Sequence, residues 1–268
     1  MKQLILFFCL FGLLSQTNPA FAEVKDTSMV VKVVKHGLTD TKQYSLSPTK
    51  WDKKDWIIAG SVTAATGALI AWGDQPIYNF ANTLHTDGLD LVSKGLRPMG
   101  NGYLYLTMSA FIISGIVNKD NYAFETGLIA AESYAFTGVA CQVVKTVAGR
   151  ARPNYQGNTD PHTWEGPFFK GNSFFSGHSS SAFAVASVVS YRYRDKGWVP
   201  VVSYGLATLC GLQRIYDNRH WASDVFFGAA VGTASGLFLC KQWEKNSILF
   251  FPTASQGGAG LSLVILIK

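Results

Sequence analysis

Residues 213–228 read QRIYDNRHWASDVFFG, and how this stretch is arranged decides the rest of the chain. If the segment from Trp221 onward is helical, with His220 entering its first turn, His220 and Asp224 are four residues apart and share one helix face. A carboxylate oxygen of Asp224 then accepts a proton from one imidazole nitrogen and leaves the other free to attack. Arg214 adds a cation, with five residues between it and His220. An exposed histidine with a helical neighbour gives the same spacing, so the flanking segments have to decide between the two.

Residues 222–240 continue as an apolar helical pattern. In it Gly228, Ala229, Ala230, Gly232, Ala234 and Gly236 recur at spacings that permit close approach of a second helix. Two more apolar helical patterns, 179–192 and 197–212, precede it and are separated by the charged turn 193–196. Before them lies NYQGNTDPHTWEGPFFKGNSF, residues 154–174, a Gly/Pro/Asn-rich loop carrying Trp164, Phe168, Phe169 and Phe174. Loops of that length without regular structure are usually functional. Residues 122–147 predict a long helix that carries Glu125 and Glu132, each costly at a bilayer centre. It stops at Gly149 and at Arg152 before Pro153, because a residue preceding proline is pushed out of the helical region.

Further upstream, residues 98–118 are an uncharged run long enough to cross a bilayer, and 77–97 are amphipathic, as one helix or two short ones. Residues 56–73 are an uncharged helix that the turn Gly73-Asp74-Gln75-Pro76 is expected to end. The pattern is all-α, a bundle of about six core helices. After it, SILFFPTA and LSLVILIK flank Gly257-Gly258-Ala259-Gly260, which predicts a short C-terminal β-hairpin.

The first 22 residues contain Lys2, the apolar run LILFFCLFGLL and Ala20-Phe21-Ala22, the charged, apolar and small-residue parts of a secretory signal peptide. The expected organisation is a signal peptide at 1–22, a polar arm at 23–54, a helical domain at 55–243 and a hairpin tail at 244–268. The mature chain then begins outside the cytoplasm.

Charged residues make up 15% of the chain and apolar types 48%, so more surface than usual is hidden in a core or against lipid. The formal net charge is +6, and loss of Lys2 with the signal would lower it by one. That surplus suits an anionic substrate or a lipid headgroup, while the lack of a dense Lys/Arg cluster argues against nucleic acid. Cys141, Cys210 and Cys240 sit in apolar helical runs. Three is an odd number and no Cys-x-x-Cys occurs, so neither a disulfide framework nor a zinc site is indicated.

Three separated segments supply a set that none holds alone. The first is Lys145 with Arg152-Pro153, six residues lying between the Lys and the Arg. The second is Ser176-Gly177-His178 at the start of a helix. The third is Arg214, His220 and Asp224, with five and then three residues between them. Phosphoryl transfer requires negative charge spread over equatorial oxygens to be held. Guanidinium groups do this with paired donors and lysine does it as a point charge. Lys145, Arg152 and Arg214, at the ends of apolar helices in an acid-poor neighbourhood, suit that task better than ordinary solvated charge. Ser176-Gly177-His178 puts backbone N–H groups at a helix N-terminus, where an oxyanion is favoured, and Ser176 serves as an N-cap there.

This tripartite pattern resembles the type 2 phosphatidic acid phosphatase (PAP2) superfamily, which also includes class A acid phosphatases and vanadium haloperoxidases. The resemblance implies that His220 is a nucleophile forming a phosphohistidine, with Asp224 fixing its tautomer and stabilising its positive charge. It implies that His178 protonates the leaving alkoxide and then activates water. It further implies that phosphate is held by Lys145, Arg152, Ser176, Gly177 and Arg214, with no metal and no cofactor. Imidazoles with an ordinary pKa of ~6.5 exchange protons near neutrality, as both roles require.

Two positions depart from the family pattern. Phe175 stands where a proline usually precedes Ser-Gly-His, and Gln213 stands where a serine usually precedes the arginine, so Gln213 is left out of the site. His36, His85 and His162 match no motif and read as structural or exposed. The leading expectation is an extracytoplasmic phosphatase acting on a lipid phosphate such as phosphatidate, an isoprenyl phosphate or diphosphate, or a lipid A phosphate. The alternatives are a soluble broad-specificity periplasmic acid phosphatase, a vanadium haloperoxidase, or a non-catalytic envelope protein. Expected partners are a phosphorylated lipid or small phosphate ester and a membrane. With Glu23 outside, spans at 56–73 and 98–118 return the chain outside, and a third at 122–147 would carry Lys145 to the cytoplasm. The third helix is therefore expected not to cross.

Overall fold

The computed structural model describes residues 46–246, Gln43, and the segments 248–255 and 258–265. The signal peptide expected at 1–22 and the polar arm as far as residue 42 lie outside the described residues. Helices occupy Lys53–Ala68 (α1), Asp74–Thr83 (α2), Asp87–Leu96 (α3), Gly102–Asn118 (α4), Asn121–Ala148 (α5), Gly177–Arg192 (α6), Trp198–Tyr216 (α7) and Ala222–Asn246 (α8). Their starts are written in local sequence. Asp52 and Asp55 cap α1 reciprocally, Thr86 caps α3, Asp120 caps α5 and Ser176 caps α6, each satisfying amide groups that the helix leaves unpaired.

The expected stop at 73–76 does not occur. A π-helical turn, Leu69–Gly73, joins α1 to α2 in one rod, Lys53–Thr83. Pro76 falls in the first turn of α2, where the irregular turn before it absorbs the missing N–H. Asp74 does not turn the chain; its buried carboxylate points inward to Arg150 and Ser223.

α6 packs most extensively on α8, then on α7 and α5, and α4 packs on α5. Any Cβ at Gly228, Gly232 or Gly236 of α8 would fall on the carbonyl groups of Ser176, Ser180 and Ala184 of α6. The stripe of small residues is thus the α6–α8 seam, matched on α6 by residues equally small. Met108, Ile129, Val185, Val188 and Leu239 fill the core between these helices.

Outside the core, the bundle stays apolar. Trp56 and Ile57 of α1, Trp72 of the π-helical turn after it, Leu106 and Val117 of α4, Val139 and Val143 of α5, and Val201 and Leu212 of α7 are all exposed. A belt of that extent is what a lipid environment covers. Lys53–Thr83, Asn121–Ala148 and Ala222–Glu244 are each long and apolar enough to cross a membrane, and Asp87–Gly100 with Gly102–Asn118, bent by 48°, adds a fourth if it is one span. The expectation that 122–147 stays out of the membrane rested on its two carboxylates and on the count of spans from an outside Glu23. Glu125 pairs with Arg192 at 2.9 Å and Glu132 accepts from the Trp243 indole at 2.9 Å, so both find partners within protein and the helix qualifies on length and composition. The fold class rests on the helices. The last turns of α3, α5 and α7 and the first turns of α4, α6 and α8 meet at one end of the bundle, and the site lies there.

Candidate active site

α8 begins at Ala222, which makes Trp221 the N-cap and puts His220 just outside the helix. Asp224 occupies the third helical position and reaches back, its Oδ2 accepting the Trp221 amide at 2.9 Å, the carboxylate half of a capping box. The expected shared helix face is therefore corrected. His220 Nδ1 lies 3.7 Å from Asp224 Oδ2, beyond hydrogen-bond reach, and the Ser173 hydroxyl stands between them. Ser173 Oγ donates to Asp224 Oδ2 and lies 3.2 Å from His220 Nδ1. A hydroxyl has one proton. With it given to the carboxylate, the bond from the ring runs Nδ1–H to Oγ, so His220 carries its proton on Nδ1 and Nε2 keeps its lone pair. Burial, then the charge of Lys145, hold the His220 pKa down to about 3 against the opposing pull of Asp224.

The other oxygen of Asp224 accepts from Arg150 Nη1 at 2.7 Å. Arg150 is fully buried and its Nη2 pairs with Asp74 Oδ2, also at 2.7 Å. Asp74 in turn accepts from the amide and hydroxyl of Ser223, and the remaining guanidinium donors go to Ser223 Oγ and the Pro161 carbonyl. Two carboxylates share one guanidinium, which leaves one negative charge beside His220, where a phosphorylated imidazole would be positive.

A cavity of about 210 Å³ opens at this end of the bundle, lined by Arg97, Arg152, His178, Arg214, Asp217, Arg219 and His220, with Arg97 paired to Asp217 at 2.8 Å. Of the residues singled out from sequence, Arg152, His178, Arg214 and His220 line it. Lys145 stands behind the wall, its Nζ donating to the carbonyls of Asn172 and Ser173 at 3.3 and 3.1 Å. Arg152 Nε donates to the same Asn172 carbonyl at 3.1 Å, so both cations brace the loop that carries Ser173. Ser176 is fully buried, its Oγ committed to the Ser179 amide as a cap and its own amide to the Asp224 carbonyl at 3.0 Å. Gly177 opens α6 directly over Cys141, where a Cβ would stand 3.3 Å from the sulfur. His178 is pushed down to about 4, first by burial and then by the charges of Arg214, Lys145 and Arg152.

Both departures from the family pattern have structural roles. Gln213 is buried, accepts Arg214 Nε on its Oε1 at 2.6 Å and donates to Ser93 Oγ at 2.9 Å, so it aims Arg214. Phe175 is buried against Phe174 and Phe227, and the Phe174–Phe175 peptide is cis. Sequence reasoning missed Ser173, Arg150 and Asp74. Ser173 lay in the loop three residues before Ser176, Arg150 lay inside the Lys145–Arg152 spacing, and Asp74 was a lone acid at the end of an uncharged run.

The sequence model of the PAP2 superfamily matches residues 126–248, a span that holds Lys145, Arg152, Ser176-Gly177-His178, Arg214, His220 and Asp224. Over that span the chain is similar to the PAP2 superfamily. A lipid A 1-phosphatase of Porphyromonas gingivalis is 47% identical over 83 residues, which cover 31% of this chain and 18% of that protein. Phosphatidylglycerophosphatase B of Bacillus subtilis is 25% identical over 183 residues, 65% of this chain and 84% of that one. The crystal structure of a transmembrane PAP2 type phosphatidylglycerolphosphate phosphatase from Bacillus subtilis superimposes with a TM-score of 0.53 at 22% identity, covering 69% of this chain and 95% of that chain. The helical PAP2 fold is common to both.

Proposed function

We propose that this protein is a metal-independent phosphatase that hydrolyses phosphate esters of lipids through a phosphohistidine at His220. The observation that carries this is the meeting of two imidazoles, His178 and His220, on one cavity whose other walls bear Arg97, Arg152, Arg214 and Arg219. Nε2 of His220, unprotonated because Nδ1 holds the proton, attacks phosphorus. The phosphorus–oxygen bond to the lipid alkoxide breaks, and that oxygen takes a proton from protonated His178. The surrounding cations hold His178 neutral on their own, and the phosphate dianion set among them raises its pKa, so substrate itself arms the acid. Neutral His178 then takes a proton from water as the water oxygen attacks phosphorus, the phosphorus–nitrogen bond breaks, and His220 recovers its lone pair. Arg152 and Arg214 hold the equatorial oxygens, and Lys145 keeps the Ser173 loop beneath them.

The apolar outer belt and the candidate spans support a substrate drawn from a membrane, and the names of the relatives point the same way. The catalytic domain is assigned to residues 55–243, and the secretory character of residues 1–22 supports export of the chain. The test is a substrate panel on detergent-purified protein, with and without chelator. The expected result is turnover of long-chain lipid phosphates at a higher kcat/KM than water-soluble esters, undiminished by chelator. Preference for small esters would point to a broad-specificity acid phosphatase, and loss of activity to chelator would contradict the histidine-only scheme.

A further inference from the structure

His178 is held by a piece of chain that none of the three motifs contains. The 3₁₀ turn Arg97–Gly100 delivers Gly100 against its ring so closely that any side chain there would collide with the imidazole. The next residue, Asn101, sets its Nδ2 3.3 Å from His178 Nε2. Tyr134 of α5 donates its hydroxyl to Asn101 Oδ1 at 3.1 Å, and Tyr105 of α4 lies 2.9 Å from the Tyr134 hydroxyl. The Tyr134 donation orients the amide, so Nδ2 faces the ring and neutral His178 carries its proton on Nδ1.

Protonated His178 has a second N–H, on Nε2, which needs an acceptor. Turning the Asn101 amide supplies one. Oδ1 then accepts from Nε2–H, Nδ2 donates to the Tyr134 oxygen, and Tyr134 passes its proton toward Tyr105. A hydroxyl donates and accepts equally well, so each donor in the chain has an acceptor in either direction. We propose that Asn101 is a positioning residue for the acid–base histidine: turned with Oδ1 on Nε2–H, it keeps that nitrogen protonated while Nδ1 gives its proton to the leaving oxygen and then, with the lone pair so freed, takes one from water.

The inference rests on the acid–base role of His178 proposed above. The charges that act on His178 are Arg214 from α7, Lys145 from α5 and Arg152 from the loop after α5, and Arg97, Asp217 and Arg219 line the same cavity. The test compares kcat/KM for a long-chain alkyl phosphate, whose leaving group needs a proton, with that for p-nitrophenyl phosphate, whose leaving group does not. Asn101→Leu is expected to lower the alkyl value roughly ten- to a hundredfold more than the aryl value, the aryl rate serving as the folding control. Asn101→Asp, which accepts from both Nε2–H and Tyr134, is expected to keep alkyl turnover. Its carboxylate raises the pKa of His178, and the acid form is lost only as pH rises through that pKa, so the basic limb of the profile moves to higher pH. Equal losses on both esters in Asn101→Leu, no loss on either, or an unmoved limb in Asn101→Asp would overturn the proposal. Wild-type protein inert toward both esters would overturn the enzymatic reading, and this inference with it.

Discussion

Ser173 converts a 3.7 Å gap between His220 and Asp224 into a continuous chain, and removing its hydroxyl tests whether that chain sets the nucleophile. Ser173→Ala should lower kcat/KM roughly tenfold or more, in line with loss of a group that positions an acid–base pair. Ser173→Thr should restore most of it, because the hydroxyl is kept. Equal activity in Ser173→Ala, read by initial rates across pH, would mean that Asp224 acts on His220 without help. Arg150 makes a separate prediction about stability. Arg150→Met leaves Asp74 and Asp224 buried and unpaired, which should cost about 3–5 kcal/mol, seen as a lower thermal midpoint. Arg150→Met combined with Asp74→Asn should recover part of it. The three motifs were legible as residue types at fixed spacing. The Asp74–Arg150–Asp224 chain was not, because a sequence shows that charges exist without showing which are carried inside.

The seam between α6 and α8 places both halves of the site. Ser176, which opens α6, donates its amide to the Asp224 carbonyl in α8, so the two helix starts are tied at the catalytic end. Gly232→Val would push a branched side chain into the Ser180 carbonyl. The expected outcome is destabilisation of about 1–3 kcal/mol together with a fall in kcat, measured by denaturation in detergent and by turnover of the same preparation. A substitution that leaves both unchanged would mean that the helices are not in contact along this stripe. The small-residue periodicity of α8 announced this seam plainly. The α1–α2 junction was hidden, since Gly-Asp-Gln-Pro is turn chemistry by local rules, and tertiary pairing of Asp74 with Arg150 and Ser223 overrode it. The first turn of α8 was misplaced for a related reason. Asp224 serves as a capping residue, so His220 sits before the helix and reaches Asp224 through Ser173.

For the molecule as a whole, the titration of the site should be visible as stability. The folded protein holds His178 at about 4 and His220 at about 3, against ~6.5 when unfolded. Between those values the unfolded chain binds protons that the folded one does not, so the contribution is fully present above ~6.5 and is lost as pH falls through the window toward about 4 for His178 and about 3 for His220. The thermal midpoint should drop over that range, and His178→Gln with His220→Asn should flatten the drop; an unchanged slope would show that neither ring is buried neutral. Gathering of the helix ends at one face of an apolar bundle was legible only in part. The segments carrying each motif were apparent, whereas the depth of Lys145 behind the Ser173 loop depends on how that loop folds back.

The most direct test of the account is to find where the phosphoryl group goes. Protein mixed with a lipid phosphate should be quenched in base during turnover, where phosphohistidine survives, then digested and its modified peptide sequenced by mass spectrometry. The account predicts one phosphoryl group on the peptide containing His220, absent in His220→Ala and accumulating in His178→Ala when the ester has a good leaving group. A phosphoryl group on any other residue, or undiminished hydrolysis by His220→Ala, would contradict it.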